Sequence, residues 1–114
     1  MAAGKLRVIF NDGATLGLGT TNADRGIGDN TSFTAYLDVT ASTGTTPTLD
    51  ITIEEQDPFD NWSVIDTFTQ ATGTTTERRQ ISANVDSNRV RAAMVVGGTA
   101  TPTFTFTLGA LVAP

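Results

Sequence analysis

Alternation between apolar and polar residues is the feature that most constrains how this chain can fold. It is sharpest over residues 103–112, where Phe104, Phe106 and Leu108 alternate with threonines. Successive side chains of a β-strand point to opposite faces of the sheet, so this alternation predicts a strand with one buried and one exposed face. The same alternation recurs at residues 33–41, 49–54 and 89–96. The chain is therefore predicted to be built from half-buried strands.

Threonine makes up about a fifth of the chain, and its β-branched side chain fits a pleated strand better than a helix. Weaker strands are predicted over residues 5–10, 62–70 and 74–81, with turn residues between the segments. A length of 114 residues suits one domain. The prediction is an all-β protein, a single antiparallel β-sandwich or jelly-roll-like domain. A helix over residues 87–96 stays open as an alternative.

A glycine-rich segment over residues 11–30 departs from this pattern. Five glycines interrupt it, and its sizeable apolar residues are Leu16, Leu18 and Ile27. Such a segment is typical of a long loop. We therefore predict an N-terminal strand and an extended Gly-rich arm over residues 1–30, followed by a β-sandwich domain over residues 31–114.

The alternation also predicts which way particular side chains point. Trp62, Val64 and Phe68 share one face of their predicted strand and are expected on the core side. Asp50 and Glu54 are expected together on the solvent face of the strand over residues 49–54.

Composition excludes several classes of function. Seven Lys and Arg against twelve Asp and Glu give a net charge of −5, which disfavours binding to nucleic acid or to an anionic membrane. The chain has no Cys and no His, which removes Ser-His-Asp and Cys-His catalysis and ordinary zinc sites. The apolar stretch at residues 8–10 is too short for a signal-peptide core, so no secretion signal is expected. We predict a protein that is not an enzyme and uses no cofactor.

The acidic residues in the middle of the chain are candidates for carboxylate chemistry. A glycosidase needs two carboxyls across a cleft, but Glu54 and Glu55 are neighbours on a strand and point to opposite faces. Residues 57–61 offer oxygen ligands to Ca²⁺, but they lack the spaced acids of an EF-hand loop. A turn is favoured there, in which proline fixes φ and an aspartate bonds to the backbone. No catalytic, cofactor-binding or metal residue is predicted.

Aromatic and cationic residues leave two interpretations each. Trp62, Phe59 and Tyr36 could form a platform for sugar rings, but a position at the edge of the core is favoured for Trp62. Four of the seven cations fall within a short stretch, and the acids concentrate over residues 50–66. Those cations are either solvated or meet the acids of a neighbouring copy in a head-to-tail contact.

The second half of the chain carries a recognisable series of motifs. It comprises the aliphatic strand Leu-Asp-Ile-Thr-Ile at residues 49–53, the acidic turn Gln-Asp-Pro-Phe-Asp-Asn-Trp at residues 56–62, a strand ending Phe-Thr-Gln at residues 68–70, the Arg-Val-Arg strand at residues 89–91, and a terminal Thr/Phe strand after Gly97 and Gly98. This series resembles the small β-sandwich virion proteins of tailed bacteriophages, the capsid decoration or cement proteins and related head and tail modules. Asp60 and Asn61 stand where the family has Asp-Gly.

The resemblance implies a structural virion protein that decorates and stabilises a phage capsid by binding the outer shell as an oligomer. Its partners would be the major capsid protein and copies of itself, a trimer being favoured over a dimer. It would be made in the host cytoplasm and reside on the capsid surface. Contacts are expected at Leu16, Leu18, Ile27, Arg78, Arg79, Arg89 and Arg91. The alternatives are a carbohydrate-binding module of a host-recognition appendage, with Trp62 and Tyr36 at the sugar site, and a tail or baseplate structural component.

Overall fold

The computed structural model describes residues 6–27, 32–81 and 89–113. They form six strands: β1 (Leu6–Gly17), β2 (Gly19–Gly26), β3 (Ser32–Gln56), β4 (Trp62–Thr67), β5 (Thr75–Ile81) and β6 (Arg89–Ala113). None of these residues belongs to a helix that could cross a membrane. The helix considered over residues 87–96 is wrong from residue 89 onward, because those residues begin β6. Residues 87 and 88 lie outside the described part.

Strands β3 and β6 form the spine of the molecule. Each is 25 residues long, and they pair antiparallel from Ser32 opposite Ala113 to Glu55 opposite Val90. A straight strand of that length would extend about 80 Å, whereas the longest dimension of the molecule is 49 Å. Both strands must therefore bend near their middle.

The bend crosses four chain segments that lie side by side, which we call the fold line: residues 17–19, 44–48, 72–74 and 97–102. Each segment contains glycine. Gly44 and Gly98 have φ values of 100° and 123°, a region that side chains other than glycine rarely adopt. A Cβ on Gly44 would lie 2.7 Å from the Cα of Pro102, and one on Gly98 would lie 2.9 Å from the carbonyl oxygen of Thr46. The two bent strands thus approach too closely for side chains there.

The fold line divides the sheet into two layers. The first sheet contains β1, the C-terminal half of β6, the N-terminal half of β3, and β5, in that order. The second sheet contains β2, the N-terminal half of β6, the C-terminal half of β3, and β4. All pairings are antiparallel, and each long strand serves both layers, which is the arrangement of a jelly roll. The predicted all-β sandwich or jelly-roll fold is confirmed.

The core lies between the two layers and follows the predicted alternation. On β3 the buried apolar side chains occupy odd positions, and on β6 the buried side chains occupy even positions, on both sides of the fold line. The largest side chains below 2% exposure come from both sheets: Phe33, Phe104, Phe106, Ile27, Leu49, Ile51, Ile53, Met94, Leu108, Val90 and Val96. Because both halves keep the same inward parity, bending the sheet brings their apolar faces together and removes them from water.

The Gly-rich segment differs from the prediction. The expected long loop is wrong over residues 11–26, where β1 continues to Gly17 and β2 pairs with β6 through Gly26. Two register shifts in β1, one on each side of Asn11 and Asp12, interrupt the alternation and so conceal the strand in the sequence. Asn11 is buried and donates from Nδ2 to the carbonyl oxygen of Phe106 at 2.7 Å, which anchors the irregularity. The predicted boundary at residues 30 and 31 lies outside the described residues.

An ion-pair cluster closes the lateral edge where β4 and β5 meet. The Arg79 guanidinium donates to both oxygens of Asp66 at 3.0 Å and to Glu77 at 3.2 Å. Glu77 in turn accepts from the backbone N–H of Thr69 at 3.1 Å. The bond from Arg79 lowers the pKa of Asp66 below its usual value. Because Asp66 belongs to the second sheet and Arg79 to the first, the pair links the two layers.

Candidate functional site

A groove with a volume of about 740 Å³ lies across the outer face of the first sheet. One row of cross-strand neighbours runs through it: Ile9 of β1, Gly109 of β6, Tyr36 of β3 and Arg78 of β5. Gly109 has no side chain and forms the floor. Tyr36 lies between the buried residues Ala35 and Leu37, so its ring points outward, with the residue 42% exposed. We call this site the Tyr36 groove.

Charged and hydroxyl groups surround the Tyr36 ring. Arg7 and Arg78 line the groove from the two outer strands, while Asp38 and the hydroxyl-bearing Thr76 and Thr107 lie beside them. Neither arginine forms an ion pair with another described residue, in contrast to three other arginines of the described chain. The groove therefore offers an aromatic face, two guanidiniums without described acidic partners and the carboxylate of Asp38. Glu77 also lines it, but its carboxylate binds Arg79.

The outer face of the second sheet is organised differently, around Trp62. The Arg91 guanidinium lies 4.7 Å from the centre of the Trp62 ring, a cation–π contact, and donates to Glu54 Oε1 at 2.9 and 3.1 Å. The other oxygen of Glu54 accepts from the Thr52 hydroxyl at 3.1 Å. Alongside, Arg89 pairs with Asp24 at 2.7 Å. Arg89 and Arg91 on this face thus form ion pairs with acids of the same chain.

This arrangement corrects several predicted side-chain orientations. Trp62 and Val64 face outward, and Val64 is 58% exposed, because β4 ends at Thr67 and Phe68 enters the core only beyond that end. Glu54, which is predicted on the solvent face, is only 8% exposed, because Arg91 and its cross-strand neighbours cover it.

The two candidate sugar-binding aromatics do not share a site. Tyr36 points outward from the first sheet and Trp62 from the second, so the sandwich separates them. Phe59, the remaining member of the proposed platform, is 83% exposed at the tip of the loop between β3 and β4. A single platform built from all three residues is therefore wrong.

Residues 57–61 form the tight turn that the sequence favoured over a calcium loop. Asp57 Oδ1 accepts backbone N–H groups from Phe59 at 2.8 Å and Asn61 at 2.9 Å, and Asp60 takes a left-handed φ of 67°. The carboxylate is thus occupied by the chain itself. Among the described residues no group of three or more acids is arranged to hold a metal ion.

The apolar contact residues predicted from the Gly-rich segment have three different environments. Leu18 is 69% exposed and borders a pocket of about 350 Å³ at the fold line, together with Ala100 and Pro102. Leu16 is partly buried against the core. Ile27 is fully buried, so its predicted role as a partner contact is wrong: it fills the core of its own chain.

The four arginines predicted to meet a neighbour's acids also divide. Arg79, Arg89 and Arg91 bind acids of the same chain, namely Asp66 with Glu77, Asp24 and Glu54. Arg78 instead lines the Tyr36 groove. The sequence could not separate Arg78 from Arg79, since only the strand register decides that Arg78 lies opposite Tyr36 on the outer face while Arg79 lies opposite the buried Ala35.

No protein-family model matches the chain, and no curated protein sequence matches it. Solved structures do match. A CBM4 carbohydrate-binding module is 17% identical over 75% of this chain, with a TM-score of 0.52, and the chain spans only 55% of its length. Bacillus endospore appendages, a family of disulfide-linked pili, are 12% identical over 99% of this chain and 93% of theirs, with a TM-score of 0.52. Latent PorU from Porphyromonas gingivalis is 12% identical over 99% of this chain and 13% of its own, with a TM-score of 0.54.

These likenesses establish the β-sandwich fold.

Proposed function

We propose that this protein is a non-catalytic structural component of a phage particle, which decorates the outer capsid shell and stabilises it by binding neighbouring subunits. The observation that carries the proposal is an exposed apolar side chain at each end of the strands. Leu18 lies at the fold line, and Phe59 lies at the opposite end, in the loop that follows β3. Single protruding apolar residues at two ends suit a clamp that touches two neighbours at once.

Both side chains are held by ordered backbone. Phe59 projects from the turn that Asp57 fixes with two hydrogen bonds. Leu18 lies between β1 and β2, each of which pairs with β6. Less conformational entropy is lost when a pre-ordered residue is buried by a partner. Contacts that are weak singly gain strength when they repeat over a lattice, because each occupied site raises the effective concentration at the next.

The partners in this proposal are the major capsid protein and further copies of this chain, as a trimer rather than a dimer. The test is co-assembly with the major capsid protein from the same genome, followed by sedimentation of shells and light scattering of the unbound protein. Leu18→Ser and Phe59→Ser are expected to remain folded and to lose shell binding. Val64→Ser is the control, because Val64 is also an exposed apolar residue but lies on the outer face of β4 rather than at an end of the strands. Undiminished binding by both variants would refute the clamp.

Deleting residues 1–30 is not a suitable test of contacts in the Gly-rich segment. β1 and β2 are edge strands of the two sheets, β1 contributes Val8 and Phe10 to the core, and Ile27, directly after β2, fills it as well. Their removal would expose the flank of β6 and unfold the sandwich, so point substitutions are required. Localisation in the particle by electron microscopy of labelled protein would separate the capsid role from a tail or baseplate role.

The second candidate function is carbohydrate binding, and the Tyr36 groove favours it. The groove offers an outward aromatic ring beside a glycine floor, with polar groups around it, which is the usual composition of a small-ligand site. A glycan array tests this function. Tyr36→Ala is expected to abolish binding, whereas Trp62→Ala, on the other face, is expected to leave it unchanged.

A further inference from the structure

We infer that the Tyr36 groove binds an acidic oligosaccharide, a chain of sugars that carry carboxylates. The inference rests on the second candidate function, and shell decoration neither requires nor excludes it. It follows from the charges that the chain leaves unpaired in the groove.

The distribution of arginine partners is the first argument. On a protein with a net charge of −5, acids outnumber cations and a surface arginine readily finds a carboxylate. Arg79, Arg89 and Arg91 do so, and Arg25 donates to the backbone carbonyls of Ile9 and Asp24. Of the three described arginines without a described acidic partner, Arg25 is thus bound to backbone oxygens, whereas Arg7 and Arg78 both line the same groove. Guanidinium groups that converge on one groove suit carboxylates, which they bind in a bidentate manner.

The spacing of these arginines indicates an extended ligand. Arg7 lies on β1 and Arg78 on β5, the two outer strands of the first sheet. Three strand spacings and a register offset of two residues separate them, which places their backbones about 16 Å apart. One carboxylate is too small to engage both, so the ligand must carry anionic groups on more than one unit.

The groups between the arginines favour a sugar over an acidic peptide. Tyr36 presents an apolar ring face at the middle of the groove, which suits the C–H face of a pyranose. Asp38 lies beside it and acts only as a hydrogen-bond acceptor when ionised, so it repels a run of carboxylates but accepts from hydroxyls. Thr76 and Thr107 add further hydroxyl partners. A ligand that bears both hydroxyls and carboxylates would match the arginines as well as Asp38, Thr76 and Thr107.

Gly109 makes room for that ligand. It is the neighbour of Tyr36 on one side and of Ile9 on the other, and, although the residue is buried, it adds no side chain to the groove between them. A Cβ there would lie 2.9 Å from Ile9 Cδ1, so a side chain would displace the end of Ile9 and fill part of the groove.

The experiment is isothermal titration with hexamers of galacturonate and mannuronate, with their carboxyl-reduced neutral counterparts, and with an oligoglutamate peptide. Acidic hexamers are expected to bind, and Arg78→Gln and Arg7→Gln are each expected to weaken binding by about tenfold, the loss of one charge-assisted bond. Arg89→Gln, which removes the same charge from the other face, is the matched control and is expected to bind normally. Unfolding curves confirm that each variant is folded.

Four outcomes would overturn the inference, and they have different consequences. Equal binding of neutral hexamers would refute the acidic ligand while leaving carbohydrate binding in place. Absence of all saccharide binding would remove the second candidate function as well. Tighter binding of oligoglutamate would identify a peptide groove. Equal weakening by Arg89→Gln and Arg78→Gln would show attraction by overall charge rather than a site.

Discussion

The outer faces of the two sheets share strands β3 and β6 but differ in whether their polar side chains are paired with one another. Beyond the fold line, β3 and β6 carry Glu54 and Arg91, which bind each other under the Trp62 ring. Before it, the same two strands carry Tyr36 and Gly109, with unpaired arginines on the strands that flank them. The second face satisfies its own polar groups, whereas the first leaves them available to a ligand.

The difference teaches that exposure of an aromatic residue is a poor guide to binding unless its neighbours are considered. Trp62 is the larger and more conventional sugar-stacking residue, yet one of its faces is occupied by the guanidinium of Arg91. Tyr36 has a glycine where a covering side chain would stand. Partner groups, rather than the aromatic residue itself, decide which face is open.

The largest expected effect comes from removing the bend that creates two faces. Gly44→Ala would place a Cβ 2.7 Å from the Cα of Pro102 at a φ of 100°, so both backbone strain and a backbone clash oppose it. We expect a loss of about 3 kcal/mol or more in the free energy of unfolding, measured by urea denaturation. Gly73→Ala, also at the fold line but with no neighbouring atom within 4 Å, is the control and should cost far less.

The second prediction breaks the self-paired face. Glu54→Ala would leave the Arg91 guanidinium, whose side chain is 26% exposed, without its acid, and we expect a loss of about 2 kcal/mol. Asp38→Ala on the first face removes an acid that pairs with no described cation, and it should change stability by less than about 0.5 kcal/mol. Equal losses in urea denaturation would contradict the contrast between the two faces.

The third prediction concerns the floor of the groove. A Cβ on Gly109 would lie 2.9 Å from Ile9 Cδ1 and 3.1 Å from the Val8 carbonyl oxygen. Gly109→Ala should therefore cost about 1 kcal/mol, since the end of the isoleucine side chain is able to move. It should also reduce ligand binding in calorimetry. Gly17→Ala, with no atom within 4 Å, is the matched substitution, and a Gly109→Ala protein with full affinity would show that the floor is not used.

The smallest effect is the pH dependence of the pair that links the sheets. Arg79 lowers the folded-state pKa of Asp66, so the pair stabilises the protein above the unfolded-state pKa of about 3.9 and this contribution is lost as pH falls through the folded value. Asp66→Asn should remove that part of the acid sensitivity, so the unfolding midpoints of the two proteins should converge once the pH lies below the folded-state pKa of Asp66. A parallel decline of both proteins over the whole range would contradict it.

Much of the fold could be predicted from the sequence because the period-two alternation of apolar residues directly indicates which side chains of a strand are buried. Phe104, Phe106 and Leu108 are buried as expected, as are Leu49 and Ile51. The strand at residues 19–26 could not be found, because β2 is an edge strand with one partly buried residue, Ala23, and it therefore carries no alternation.

The site was only partly predictable for a related reason. Tyr36 and Arg78 were both singled out, but their meeting across β3 and β5 depends on register, which no local pattern encodes. Gly109 interrupts an apolar run and gave no signal of its own. The sequence predicts Trp62 on the core side because it shares the parity of Phe68. It faces outward because the register shift between Ile53 and Glu54 and the early end of β4 change its phase relative to Phe68.

The account depends most on the first face being open and the second being closed, and NMR titration with an acidic hexasaccharide tests this directly. The chain has one tryptophan, so its indole N–H is an unambiguous reporter for the second face. We predict shifts confined to the backbone amides around Tyr36, Gly109 and Arg78, with the Trp62 indole signal unmoved. A shifted indole signal with unchanged amides around Gly109 would contradict the account.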